Sequence, residues 1–132
     1  MFSIDHTIKP DQVSNIYKHL HHADSLFILE KCRLEFLKHI GHPLESFLKE
    51  DLFLVIRRVE TSYKRELFAE NVTVTCEKPE ITKRKVILHQ RIIKDDGKLA
   101  VSAKIENIFI SAKLKKSIEP PEYFIKAFLK ME

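Results

Sequence analysis

The chain has 132 residues, of which 44% are hydrophobic and 32% charged, and it carries a net charge of +4. That length suits one domain, residues 1–132, able to bury a core without staples, and that balance excludes a disordered chain. The longest unbroken apolar run, Leu52 to Ile56, is far too short to cross a bilayer as a helix.

Residues 2–9 alternate loosely between apolar and polar and end at Pro10, which predicts an edge strand. The opening MFSIDHTIKP has no basic stretch followed by an apolar one, so no signal peptide is expected and the cytoplasm is the expected location. Residues 10–21 keep no clean period and read as a loop with at most one helical turn. From about Ala23 to Ile40 the period is helical. Leu26, Leu29, Phe36, Leu37 and Ile40 share one arc, opposite Lys31, Glu35 and Lys38, and Gly41 supplies a stop. Arg33 falls in the middle of that arc. A guanidinium aimed at a core cannot shed its charge, so it demands a partner. Glu30, one turn earlier, is one candidate, and a group at a functional site is another.

Pro43 opens a short helical piece, PLESFLKE. From Asp51 the period becomes two: LFLVIRRVETSY, NVTVTCEK, KVILHQRIIK and LAVSAKIENIFIS are rich in β-branched residues and separated by turn material. Asp96-Gly97 marks a hairpin between the last two. Pro120-Pro121 then starts an amphipathic helix, with Tyr123, Phe124, Ala127, Phe128 and Met131 at helical spacing. The order is strand, long helix, then four strands joined mostly by short turns. Such a meander buries one face, and one long apolar helix is available to cover it. The expected class is α+β: a curved antiparallel five-stranded sheet wrapped around a long central helix.

Cys32 and Cys76 form no CxxC pair and read as buried thiols. His19, His21 and His22 cluster, but no Cys or carboxylate sits at a strong ligand spacing and HExxH is absent, so no metal is expected. There is no GxSxG elbow to support a nucleophilic serine and no glycine-rich phosphate loop, and no cofactor is expected. Basic residues cluster at Arg57-Arg58, Lys64-Arg65, Lys83-Arg84-Lys85 and Lys113 with Lys115-Lys116. That field suits polyphosphates or acidic proteins; without interleaved exposed aromatics it suits nucleic acid poorly.

The segment HHADSLFILEKCRLEFLKHIG resembles the helix of hotdog-fold acyl thioesterases of the 4-hydroxybenzoyl-CoA thioesterase type. His22, Ala23, Glu30, Arg33, Phe36, Leu37 and Gly41 match that family's pattern, while Asp24 and Ser25 replace its Asn-Tyr pair. Tyr63 and Arg65 are similar to the start of its Tyr-x-Arg-Pro segment, with Glu66 in the proline position, and DDGKLAVSAKIENIFIS resembles its last two strands. The aspartate usual seven residues before the histidine is replaced by Asn15, unless Asp11 or Asp24 supplies the carboxylate. A subgroup acting in enediyne polyketide biosynthesis is similar here, with an asparagine and an arginine 18 residues apart, as Asn15 and Arg33 are (33 − 15 = 18).

The resemblance implies a hotdog fold and hydrolysis of an acyl thioester on coenzyme A or an acyl carrier protein, in polyketide or fatty acid metabolism. It also implies a homodimer or homotetramer with acyl sites between subunits, and five-stranded sheets with exposed edges give an independent reason to pair. On this reading Asn15, which cannot be a general base at neutral pH, holds water or the carbonyl through its amide, and Arg33 organises Asn15 or stabilises charge. His22 carries a proton, the N–H groups near His22 and Ala23 face the developing oxyanion, and Tyr63, Lys64 and Arg65 meet the substrate. The rival is a hotdog module that binds acyl thioesters and does no chemistry.

Overall fold

A computed structural model describes residues 1–14, 16 and 18–130. Among them run β1 (Phe2–Thr7), α1 (His22–His39), β2 (Leu52–Tyr63), β3 (Asn71–Thr82), β4 (Lys85–Ile93), β5 (Leu99–Ser111), β6 (Lys116–Ile118) and α2 (Glu122–Leu129). All strand pairs are antiparallel, in the order β1-β3-β4-β5-β2, with β6 pairing the end of β5. The expected five strands are therefore present. The short sixth was missed because three residues, KSI, carry too little alternation to read. With α1 on one face of the curled sheet, this is the α+β hotdog arrangement.

The strands alternate as their burial requires. Val86, Leu88, Gln90 and Ile92 of β4 and Val101, Ala103, Ile105 and Phe109 of β5 turn inward. Pro79 is tolerated in β3 because it lies at a register shift between Glu77 and Glu80, where Lys78 takes φ 47°. The β4–β5 hairpin turns at Gly97, whose φ of +86° only glycine adopts cheaply, and the Asp96 carboxylate accepts the Lys98 N–H at 2.9 Å.

α1 buries Ser25, Ile28, Leu29, Cys32, Phe36 and Leu37. Its buried stripe is displaced from the expected arc toward Cys32 and Ile28. Leu26 is 38% exposed, and Arg33 lies half-buried on the flank rather than in the middle. The cause is tertiary: α1 leans toward β3, where Cys32 Sγ meets the Val74 carbonyl at 3.4 Å and Cys76 Sγ at 3.6 Å. Opposite the start of α1, a 3-10 segment (Leu44–Glu50) and α2 close the sheet with Phe47, Phe109, Phe124 and Phe128, adjacent rings 5.0–5.2 Å apart. Each fully buried ring contributes about 2–3 kcal/mol.

That leaning leaves one strip of the inner face uncovered. Ile56 (46%) and Val59 (39%) of β2 stay exposed although they share a face with Asn107 and Ile105. β2 is also an edge strand of 12 residues.

Candidate active site

His21 caps α1 in extended backbone, and its Nδ1 accepts the Ala23 N–H at 3.1 Å. The His21 carbonyl accepts the Asp24 N–H at 2.9 Å. The Ala23 N–H, expected to face an oxyanion, is held here by the His21 ring. His22, the first helical residue, presents a carbonyl that accepts from Ser25 Oγ at 2.6 Å and from the Tyr63 hydroxyl at 3.3 Å. Its ring stacks on His21 at 4.2 Å and meets Tyr63 edge-on at 6.0 Å.

The wall facing α1 is fixed by backbone. The N–H groups of Lys64 and Arg65 both donate to the Ala100 carbonyl, at 2.7 and 3.2 Å, and Arg65 Nη1 donates to the Leu99 carbonyl at 2.7 Å. The Leu20 N–H donates to the Leu67 carbonyl at 2.7 Å, so the residue preceding the cap is tied to the same loop. Between these walls lies a cavity of about 480 Å³, whose lining includes His21, His22, Ser25, Tyr63, Lys64, Arg65 and Val101. Its surface is mostly apolar with a few polar groups, the build of a small-molecule site.

The structure therefore gathers His22, Tyr63, Lys64 and Arg65 in one cleft. Asn15 lies outside the described residues. Asp11 and Asp24 line a different depression with His6, Phe27 and Lys31. There the His6 ring, 3.3 Å from Lys31 Nζ, has its pKa lowered by burial and by that ammonium. Among the described residues no group of three His, Cys, Asp or Glu is placed to hold a metal ion.

Arg33 sits 11 residues along α1 from His22, about 16 Å at the helical rise, and is not in this cleft of its own chain. Its Nη1 donates to Gln90 Oε1 at 2.9 Å, and no ion pair with Glu30 forms. Gln90 is fully buried and donates through Nε2 to the Leu29 carbonyl at 3.0 Å. Burial pulls the Arg33 pKa down. The Cys76 thiol is pushed up by its bond with Cys32 and by burial. Arg33 also borders a smaller cavity of about 80 Å³ with Glu30, Leu54, Ile56 and Asn107, beside the uncovered strip of β2.

Two contributors escaped the sequence. Ser25 was visible only as a replacement in a motif, although its hydroxyl holds the His22 carbonyl. Gln90 had a signal: it is the one polar member of the inward set Val86, Leu88, Gln90 and Ile92.

A sequence model of the thioesterase-like superfamily matches residues 8–128. No curated protein sequence matches the chain. Solved structures do. A Staphylococcus aureus protein in complex with CoA superposes with TM-score 0.88 at 22% identity, covering 98% of this chain and 82% of that one. A DHNA-CoA thioesterase from Staphylococcus aureus gives 0.86 at 19% identity, covering 98% and 89%. A 1,4-dihydroxy-2-naphthoyl-CoA thioesterase from Synechocystis gives 0.88 at 10% identity, covering 98% and 96%. At these identities the likeness is one of fold.

Proposed function

The chain belongs to the thioesterase-like superfamily, and on that premise we propose that it hydrolyses acyl thioesters of coenzyme A or an acyl carrier protein at the cleft beside the start of α1. The observation that carries this reading is the convergence of His22, Tyr63, Lys64 and Arg65, from two distant segments, on one apolar cavity at a helix N-terminus. The superfamily match and similar structures named as CoA thioesterases support the same substrate class.

In this mechanism water adds to the thioester carbonyl, the C–S bond breaks, and the departing sulfur takes a proton. Asn15 orients the water or the carbonyl oxygen through its amide. His22 carries the proton from water to sulfur, and its backbone N–H faces the oxyanion, where one donor can be worth roughly 3–4 kcal/mol. The Ala23 N–H joins it when substrate displaces the His21 ring. Tyr63 positions the acyl group; Lys64 and Arg65 meet phosphate on the carrier. The Asn15–Arg33 pairing, with its likeness to the enediyne subgroup, belongs to this proposal.

The copy that completes the site is a second chain. Pairing β2 with β2 about a twofold normal to the sheet makes those strands antiparallel and covers Ile56 and Val59. It also brings the Arg33 cavity of one copy beside the cleft end of the other, so Arg33 acts across the interface.

The occupied Ala23 N–H favours one other reading, a module that binds acyl thioesters without hydrolysis. Alanine variants at Asn15 and Arg33 decide the roles. Thiol release should fall about 100-fold or more in each, with the thermal transition retained. Full activity in both variants contradicts the assignment.

A further inference from the structure

The cations of this protein differ in whether a carboxylate stands beside them, and Lys49, Lys64, Lys98 and Lys126, scattered along the chain, have none among the described residues. Arg57, Arg58, Arg91, Lys94 and Lys104 each lie within 4.0 Å of a carboxylate. Lys83, Arg84, Lys85, Lys113, Lys115 and Lys116 do not; among the described residues none of the six has an acidic partner. The whole chain is +4, so removing these six cations leaves the remainder at −2.

Strand register gathers the six at one pole. Lys83 and Arg84 turn the β3–β4 hairpin, and Lys85 pairs with Ile108 of β5. β6 pairs with the end of β5 through Ser111↔Lys116 and Ile110↔Ser117, while β2 occupies the other side of β5 there. β6 thus continues the line of β4, and Arg84 Nη1 ties the two turns together through the Ser117 carbonyl at 3.0 Å and Oγ at 3.2 Å. Lys83 (φ 57°) and Lys115 (φ 54°) occupy left-handed backbone that glycine or asparagine adopts more readily. A cation stands at each tip instead. Between Lys113 and Lys115, Leu114 is 57% exposed.

We propose that this pole docks an acidic acyl carrier protein and that the carrier's prosthetic arm enters the cleft of the other subunit. This rests on the thioesterase reading and names its substrate class. Within one chain the cleft at Val101 and the pole at Ser111 lie ten residues apart along β5, about 33 Å at the strand rise, too far for one arm. In the β2-paired dimer the second copy's Tyr63 end lies opposite Leu52, about three strand spacings or ~15 Å from Lys116. A pantetheine arm spans that distance. Exposed turn tips with an apolar residue among lysines, and Phe53 (44% exposed) two strands away in the row Phe53–Ile110–Ser117, present an apolar-and-basic surface that fits an acidic protein better than one small nucleotide.

The test compares wild type with the triple variant Lys113→Glu, Lys115→Glu, Lys116→Glu on three thioesters of one acyl group: carrier protein, coenzyme A and the truncated N-acetylcysteamine. For the carrier, kcat/KM should drop about tenfold or more and lose its salt dependence, with the truncated thioester unchanged within about twofold. Anisotropy of labelled holo carrier protein reads docking separately: binding lost in the variant supports the pole even if no thioester turns over. Unchanged carrier turnover overturns it, as does an equal loss on coenzyme A. Variant-sensitive binding of an oligonucleotide or of phosphatidylserine vesicles, with no binding of carrier, also overturns it.

Discussion

Arg33 and Gln90, 57 residues apart in sequence, meet at 2.9 Å, and Gln90 passes the constraint on to the Leu29 carbonyl of α1. The pair pins the middle of α1 to β4 and fixes the guanidinium facing the small cavity beside β2. Replacing Gln90 by leucine leaves a half-buried cation without its acceptor. The expected loss is about 2–3 kcal/mol in denaturant unfolding, most of it recovered in the double variant Arg33→Met, Gln90→Leu. Additive losses in the double variant contradict the coupling.

Glu70 gives a pH signature. Burial raises its pKa, but Lys94 Nζ at 2.7 Å and the N–H groups of Phe68 and Asp95 outweigh that and hold it below the ordinary carboxylate value. A carboxylate with a lowered folded pKa contributes stability above its unfolded pKa and loses it as pH falls through the folded one. Glu70→Gln should therefore be less stable than wild type by about 1–2 kcal/mol at pH 7. The difference should shrink toward zero in unfolding curves taken below the ordinary carboxylate range.

The fold was largely legible because periodicity is local. The helix was expected from Ala23 to Ile40 and runs His22–His39; the four long strands fall where alternation placed them. The inward direction of Arg33 was legible too, as a cation among leucines. Its partner was not, since register between α1 and β4 is a tertiary property and Glu30 was the only neighbour a helix offers. The contact of Cys32 with Cys76 and the exposure of Leu26 share that origin: both follow from the tilt of α1 toward β3. The cleft was half legible. Motif residues named His22, Tyr63 and Arg65, and the basic pair added Lys64, but the His21 cap on Ala23 depends on a rotamer no spacing encodes.

On the proposed mechanism that cap competes with substrate. His21→Ala should cost about 0.5–1 kcal/mol of stability in thermal or denaturant unfolding. It should also raise kcat/KM for thiol release by about fivefold, the worth of a competing bond of about 1 kcal/mol. A parallel fall in stability and kcat/KM would mean the ring supports the site rather than blocks it.

The uncovered strip of β2 predicts assembly. Ile56→Lys with Val59→Lys places two cations in the proposed strand-to-strand interface. Light scattering after size exclusion should report a monomer for this variant and a dimer or its multiple for wild type. An unchanged mass rules out pairing through β2.

The most direct measurement is thiol release by the wild-type chain across a panel of acyl-CoA and acyl-carrier thioesters, run beside His22→Ala. Turnover above the uncatalysed rate on at least one thioester, reduced about 100-fold in the variant, is the result expected. Saturable binding of the same thioesters with no thiol released by wild type would contradict hydrolysis and leave a binding module.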